Sequence, residues 1–160
     1  MNRLFSSTLI VLSALAPLTS CGDKGMDPED LKAGTFEATV SGEVNVTLRG
    51  CAAFVSEFEF FQIGFIPTQS GAANGLITLA RGESGLPGVG TYQINEDEAD
   101  AFIGLFFQSA ETYTSESGTL KITSSSGANL QGSFNFTASN GINKRVTVSG
   151  TYNAKSGTCI

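Results

Sequence analysis

The stretch NLQGSFNFTA, residues 129–138, followed closely by RVTVSGTYN, residues 145–153, decides the fold class. Phe134 and Phe136 fall on one face of the first segment, and Val146 and Val148 on one face of the second, with polar residues between them. Period-two alternation of this kind marks a half-buried strand, and Asn140-Gly141 supplies a turn between the two. Gly132 and Gly150 interrupt the two patterns, so bulges or sharp bends are expected there.

The same alternation extends through the chain. Phe36, Ala38 and Val40 share a face, as do Val44, Val46 and Leu48, then Ile77 and Leu79, Tyr92 and Ile94, and Leu120 and Ile122. Ser41-Gly42, Ser70-Gly71, Asn74-Gly75 and the cluster at 124–127 separate them as turns. A Gly-Thr/Ser step precedes a large residue at Phe36, Tyr92, Leu120, Phe134 and Tyr152. Its spacing is irregular, so it is a local strand-entry device and not a repeat. The expected fold is an antiparallel all-β sandwich of seven to nine strands over residues 34–160, with a flattened up-and-down β-barrel as the runner-up.

Two segments depart from simple alternation, FVSEFEFFQIGFI at 54–66 and AFIGLFF at 101–107. They concentrate Phe58, Phe60, Phe61, Phe65, Phe102, Phe106 and Phe107. Continuous apolar runs belong to strands covered on both faces, which makes core the favoured reading. The alternative is a cavity or patch at these seven residues that receives an apolar ligand or partner.

The first 21 residues carry a different message. Arg3 precedes a short apolar run ending in Leu18-Thr19-Ser20-Cys21. The run is too short and too interrupted by Ser and Thr to span a bilayer comfortably, and the small residues before the Cys fit a processed export signal. This arrangement resembles the signal peptide and lipobox of bacterial lipoproteins. The resemblance implies a signal peptide at 1–20, acyl chains such as palmitate on Cys21, and a membrane partner held through that residue. Gly22, in place of the Asp that resembles an inner-membrane retention signal, implies the outer membrane. Residues 21–33, rich in Asp, Glu, Gly and Pro, read as a flexible tether.

The 160-residue chain has a formal charge of −6, and removing residues 1–20 takes Arg3 with it. An acidic domain with no basic cluster excludes nucleic acid as a partner. With Cys21 acylated, Cys51 and Cys159 are the two cysteines left, and an oxidising compartment implies a bridge between them. Closing so long a loop stabilises by up to about 4 to 5 kcal/mol in the chain-entropy account.

Chemistry is mostly excluded. The chain has no His, which removes imidazole metal sites and the usual nucleophilic triads. No phosphate-cradling or dinucleotide motif is present. Glu57 and Glu59 share a face of a predicted strand, as a glycosidase pair would, but so do most exposed strand acids. The acidic cluster at 95–100 reads as a short helical turn capped by Asn95, not as a calcium loop. No catalytic residue, metal or cofactor is expected. The outer strand positions read as Thr, Glu, Ser, Asn and Lys, which excludes an integral outer-membrane barrel. The expected function is a non-enzymatic envelope lipoprotein whose β domain binds a protein or envelope polymer. The alternative is a lipocalin-like carrier of a small apolar ligand.

Overall fold

The computed structural model describes residues 27–68, 75–98 and 100–159. After a 3-10 turn at Pro28–Asp30 come nine strands: β1 (Thr35–Gly42), β2 (Val46–Ser56), β3 (Phe61–Pro67), β4 (Gly75–Arg81), β5 (Gly90–Gln93), β6 (Ile103–Gln108), β7 (Glu111–Ser125), β8 (Asn129–Ser139) and β9 (Arg145–Ser156). β1 pairs with β2 and with β9, and the antiparallel ladder runs on through β3, β4, β6, β7 and β8 back to β9. Eight strands therefore close into an up-and-down barrel. The ninth, β5, pairs with the far half of β7, from Gly90↔Ile122 to Gln93↔Thr119, while β6 holds the near half.

The all-β antiparallel expectation holds, and the closure is that of the runner-up, the barrel, not of two facing sheets. The physical reason lies in the inward row. Gly150 stands opposite Phe134, Gly132 opposite Tyr152, Gly118 opposite Phe136, and Gly50 opposite Phe36. A small residue beside each large one lets the walls of a narrow barrel coil tightly without overfilling it.

Gly150 does this without the bulge expected at it, while at Gly132 the irregularity lies on the facing strand. Gly150 stays in register with both of its neighbours, whereas Gly132 is in register with Tyr152 on β9 but pairs with Ile122 at the edge of a register shift on its β7 side. A Cβ on Gly132 would lie 2.7 Å from the Tyr152 hydroxyl oxygen, and one on Gly150 would lie 2.8 Å from Phe134 Cζ. Both register shifts fall on β7, between Ser115 and Ser117 and, opposite Gly132 and Gln131, between Ile122 and Ser124. The first shift moves the inward positions from odd (Tyr113, Ser115) to even (Leu120, Ile122), which keeps one face of a 15-residue strand on the core.

The interior is filled by side chains. Phe36, Phe61, Phe65, Phe102, Phe106, Phe136, Tyr113 and Tyr152 are all fully buried. Phe65 packs against Phe36 at 5.4 Å, Phe134 at 4.9 Å and Tyr152 at 5.5 Å between ring centroids. Each such ring contributes about 1.5 to 3 kcal/mol by leaving water.

The barrel has a Thr35 end, with the start of β1, the β2–β3 turn at 57–60 and the loop at 82–89. At its Gly42 end lie the β1–β2 turn and the loop at 140–144. Residues 27–34 leave from the Thr35 end, fastened where Asn153 Nδ2 donates to the Leu31 carbonyl at 2.9 Å and Gly34 N–H donates to the Asn153 carbonyl. The signal segment, Cys21 and the first half of the tether lie outside the described residues.

The acidic cluster departs from its expectation. The Asn95 side chain accepts the Asp97 N–H at 3.0 Å, but turns follow it among the described residues, and no helix. The connection is tied at its base, where the Asn95 N–H donates to the Phe102 carbonyl at 2.9 Å beside the Ile94–Phe102 bridge.

Candidate functional site

The seven phenylalanines separate into three environments. Phe61, Phe65, Phe102 and Phe106 point into the barrel and are fully buried. Phe107 points outward from β6 and is half-buried. Phe58 and Phe60 lie in the β2–β3 turn, where Phe58 is 100% and Phe60 37% exposed. Glu57 and Glu59 are in that same exposed turn and not on a strand, because the Glu57 N–H closes the turn onto the Phe60 carbonyl at 3.0 Å.

Phe107 belongs to a larger feature on the outside of the barrel. Outward positions of β2, β3, β4 and β6 align in three rows: Val55, Gln62, Ala80 and Ile103; Ala53, Gly64, Thr78 and Leu105; and Cys51 and Ile66 with Leu76 and Phe107. None of these twelve is charged, and Gln62 and Thr78 are the sole polar side chains. Ile66 and Ile103 are exposed. The outer positions of the other half are polar, with Glu37 and Thr39 on β1, Ser133, Asn135 and Thr137 on β8, and Thr147, Ser149 and Thr151 on β9. The expected Thr, Glu, Ser, Asn and Lys exterior thus holds for half of the circumference and fails for the other half. Period-two alternation had hidden this, because in β3, β4 and β6 both faces are apolar and neither reads as outside. The polar half still denies the barrel the continuous apolar girdle that a membrane-spanning barrel requires.

A covalent brace borders this face. Cys51 and Cys159 form a disulfide, as expected, with Cα atoms 5.9 Å apart across a sequence separation of 108. The Gly157 N–H donates to the Phe54 carbonyl at 3.0 Å. Residues 157–159 thereby edge a shallow groove with Ala53, Val55, Gln62, Gly64 and Ile66.

At the Thr35 end one charge points inward. Arg81 continues the inward parity of Ile77 and Leu79, and its guanidinium carbon lies 5.5 Å from the Phe102 ring centre, 5.8 Å from Tyr92 and 6.0 Å from Phe61. Nη1 lies 3.5 Å from Glu83 Oε2, Nη2 donates to the Gly85 carbonyl at 3.4 Å, and Nε has no partner among the described residues. The loop at 82–89 closes over it. Gly85 N–H donates to Ser56 Oγ, Ser125 Oγ donates to the Pro87 carbonyl, and Tyr92 Oη donates to the Gly88 carbonyl. Three aromatic faces stabilise the cation where water is scarce, so Arg81 acts as the stopper of this end. Sequence reading missed it, although counting two residues on from Leu79 would have placed it inside.

At the Gly42 end, Glu111 joins Lys144 and Tyr113. The hydrogen bonds from Lys144 and then Tyr113 lower the Glu111 carboxyl below its ordinary value, and the bond to Glu111 raises the Tyr113 phenol. This is a surface brace at the edge of a small open concavity lined by Glu116, Ser139, Gly141, Asn143, Lys144 and Arg145. Among the described residues no group of three or more Cys, Asp or Glu is placed to hold a metal ion. Comparison with known proteins finds no matching family model, no matching curated protein and no matching solved structure.

Proposed function

We propose that the chain is a non-enzymatic lipoprotein of the bacterial cell envelope, anchored in the outer membrane through acylated Cys21, whose barrel binds a protein. The observation that carries this reading is the uncharged outer face of β2, β3, β4 and β6 beside a wholly polar remainder. Contiguous apolar surface on one side of a domain is characteristic of a protein-binding site. It suits a protein better than an envelope polysaccharide, whose hydroxyls it could not satisfy. The bridge between Cys51 and Cys159 accords with export to an oxidising compartment. It also occupies the two thiols that could have served as nucleophiles.

The carrier reading draws support from the closed barrel, an architecture that can enclose a ligand. Aromatic side chains occupy that interior here, which weighs against it.

A photo-crosslinking side chain at Ile103, on the apolar face, should give a discrete adduct in intact cells. One at Thr151, on the polar half, should give none. Ile66→Lys should abolish the Ile103 adduct. Equal labelling from both positions, or an adduct indifferent to Ile66→Lys, would remove the face from consideration. The anchor is tested separately: Cys21→Ser should abolish acyl incorporation and release the domain from the membrane fraction.

A further inference from the structure

We propose that the Thr35 end of the barrel rests on the bilayer, with Phe58 and Val89 entering a zwitterionic lipid surface; this rests on the reading of Cys21 as the acylated residue. Two independent observations meet at that end. The first is apolar exposure at loop tips. Phe58 is 100% and Val89 67% exposed, with Phe60 beside them at 37%, and Phe58 faces the start of the 82–89 loop across an open concavity. The second is the exit of the chain. Asp27 opens the turn that packs on β8 and β9 next to Asn153, at the same end, and the six residues 21–26 that separate it from the lipid can span no more than about 20 Å. A tether that short holds this end of the domain close to the surface and brings the loop tips within its reach. Aromatic and aliphatic side chains on such tips gain by entering the boundary between headgroups and acyl chains.

The charge of the same end fixes the type of lipid. Glu57, Glu59 and Glu83 flank the tips, and on the exit path Glu29 and Asp30 stand beside Lys32, with Lys155 against Gly34, so acids predominate at the tips themselves. Anionic headgroups would repel the three carboxylates at the tips, so the fitting surface is zwitterionic. Among the described residues, the loops of the opposite end expose one large apolar side chain, Ile142, 79% exposed and followed by Lys144 and Arg145. It serves as an internal control.

The chain contains no Trp, so single reporters are simple to place. Full-length acylated protein, its acylation established by mass, would be inserted into phosphatidylcholine vesicles as Phe58→Trp and, separately, as Ile142→Trp. Both positions are exposed, so neither substitution disturbs the core. The Phe58→Trp emission should shift to shorter wavelength and be quenched several-fold more by bromine-labelled acyl chains than that of Ile142→Trp. Adding phosphatidylglycerol should reduce this quenching at low salt, and raising the salt should restore it. An acylated protein whose Phe58→Trp emission is unshifted and unquenched, or is quenched less than Ile142→Trp, overturns the orientation and leaves the anchor standing. A protein that carries no acyl chain overturns the anchor itself, and the orientation with it.

Discussion

Phe65 on β3 and Phe134 on β8 stand on opposite walls of the barrel, yet their ring centroids are 4.9 Å apart. The two walls are thus in contact through their side chains. Removing one ring would leave a void that no neighbour can reach across without moving a strand. Phe65→Ala and Phe106→Ala should each lower stability by about 3 to 5 kcal/mol in denaturant unfolding. Phe58→Ala should cost well under 1 kcal/mol, because Phe58 is fully exposed. A loss of less than 1 kcal/mol at Phe65 would mean the interior is loosely filled, and would promote the carrier reading to first place.

The two glycines of the β8–β9 wall should resist alanine, for a reason that backbone propensity alone does not supply. At an open position such as Gly82, where nothing lies within 4 Å of an added Cβ, alanine should stabilise by roughly 0.4 to 1 kcal/mol through the unfolded chain. At Gly150 the new methyl would meet the Glu37 carbonyl oxygen at 2.7 Å and Ala38 Cβ at 2.8 Å. Overpacking there should reverse the sign, to a loss of about 1 to 3 kcal/mol. Thermal unfolding of Gly82→Ala and Gly150→Ala side by side would decide it. Matching shifts in the two would show that the tight coil of this wall is not set by its small residues.

This wall also shows what could be read in advance. The alternation of β1, β8 and β9 was legible because one of their faces is wet, so the pattern alone oriented them. The strands β3, β4 and β6 are apolar on both faces, and their outward surface became visible when Ala53↔Gly64 and Thr78↔Leu105 fixed the register. Closure into a barrel was undetermined for a related reason: sandwich and barrel share alternation, and what separates them is the pairing of β1 with β9, a long-range contact. The short helical turn expected after Asn95 gives way, among the described residues, to non-helical turns beside the Ile94–Phe102 bridge, a contact invisible locally. Of the seven phenylalanines, the inward four were recognisable as core, while Phe58 and Phe60 were joined to them by composition although a turn divides the segment.

The disulfide stabilises two things at once. It constrains the unfolded chain over 108 residues of sequence, and it pins residues 157–159 along the β2–β3 face. Cys159→Ser should lower stability by about 2 to 5 kcal/mol. It should also speed amide exchange at Gly157, whose N–H bonds Phe54 only while the tail is held. A stability loss with Gly157 still protected would show that the tail docks without the bridge.

Tyr152 sets the last expectation, because its hydroxyl is buried against Gly132 with no hydrogen-bond partner among the described residues. Burial holds the phenol neutral and raises its pKa well above the ordinary 10. An unsatisfied buried hydroxyl costs about 1 to 3 kcal/mol, so Tyr152→Phe, which keeps the ring and removes that group, should be neutral or stabilising by about 1 kcal/mol at pH 7. The sign at high pH follows from linkage. Above pH 10 the unfolded chain loses the phenolic proton while the folded chain keeps it, so stability falls as pH rises through that range. Tyr113, also raised, contributes in the same direction through its bond to Glu111. Tyr152→Phe should therefore flatten the decline between pH 10 and the alkaline end of the profile without abolishing it. Stability curves at pH 7 and across the alkaline range would measure both effects. A variant less stable than the parent at pH 7 would show that the hydroxyl has a partner, such as a water bound beside Gly132.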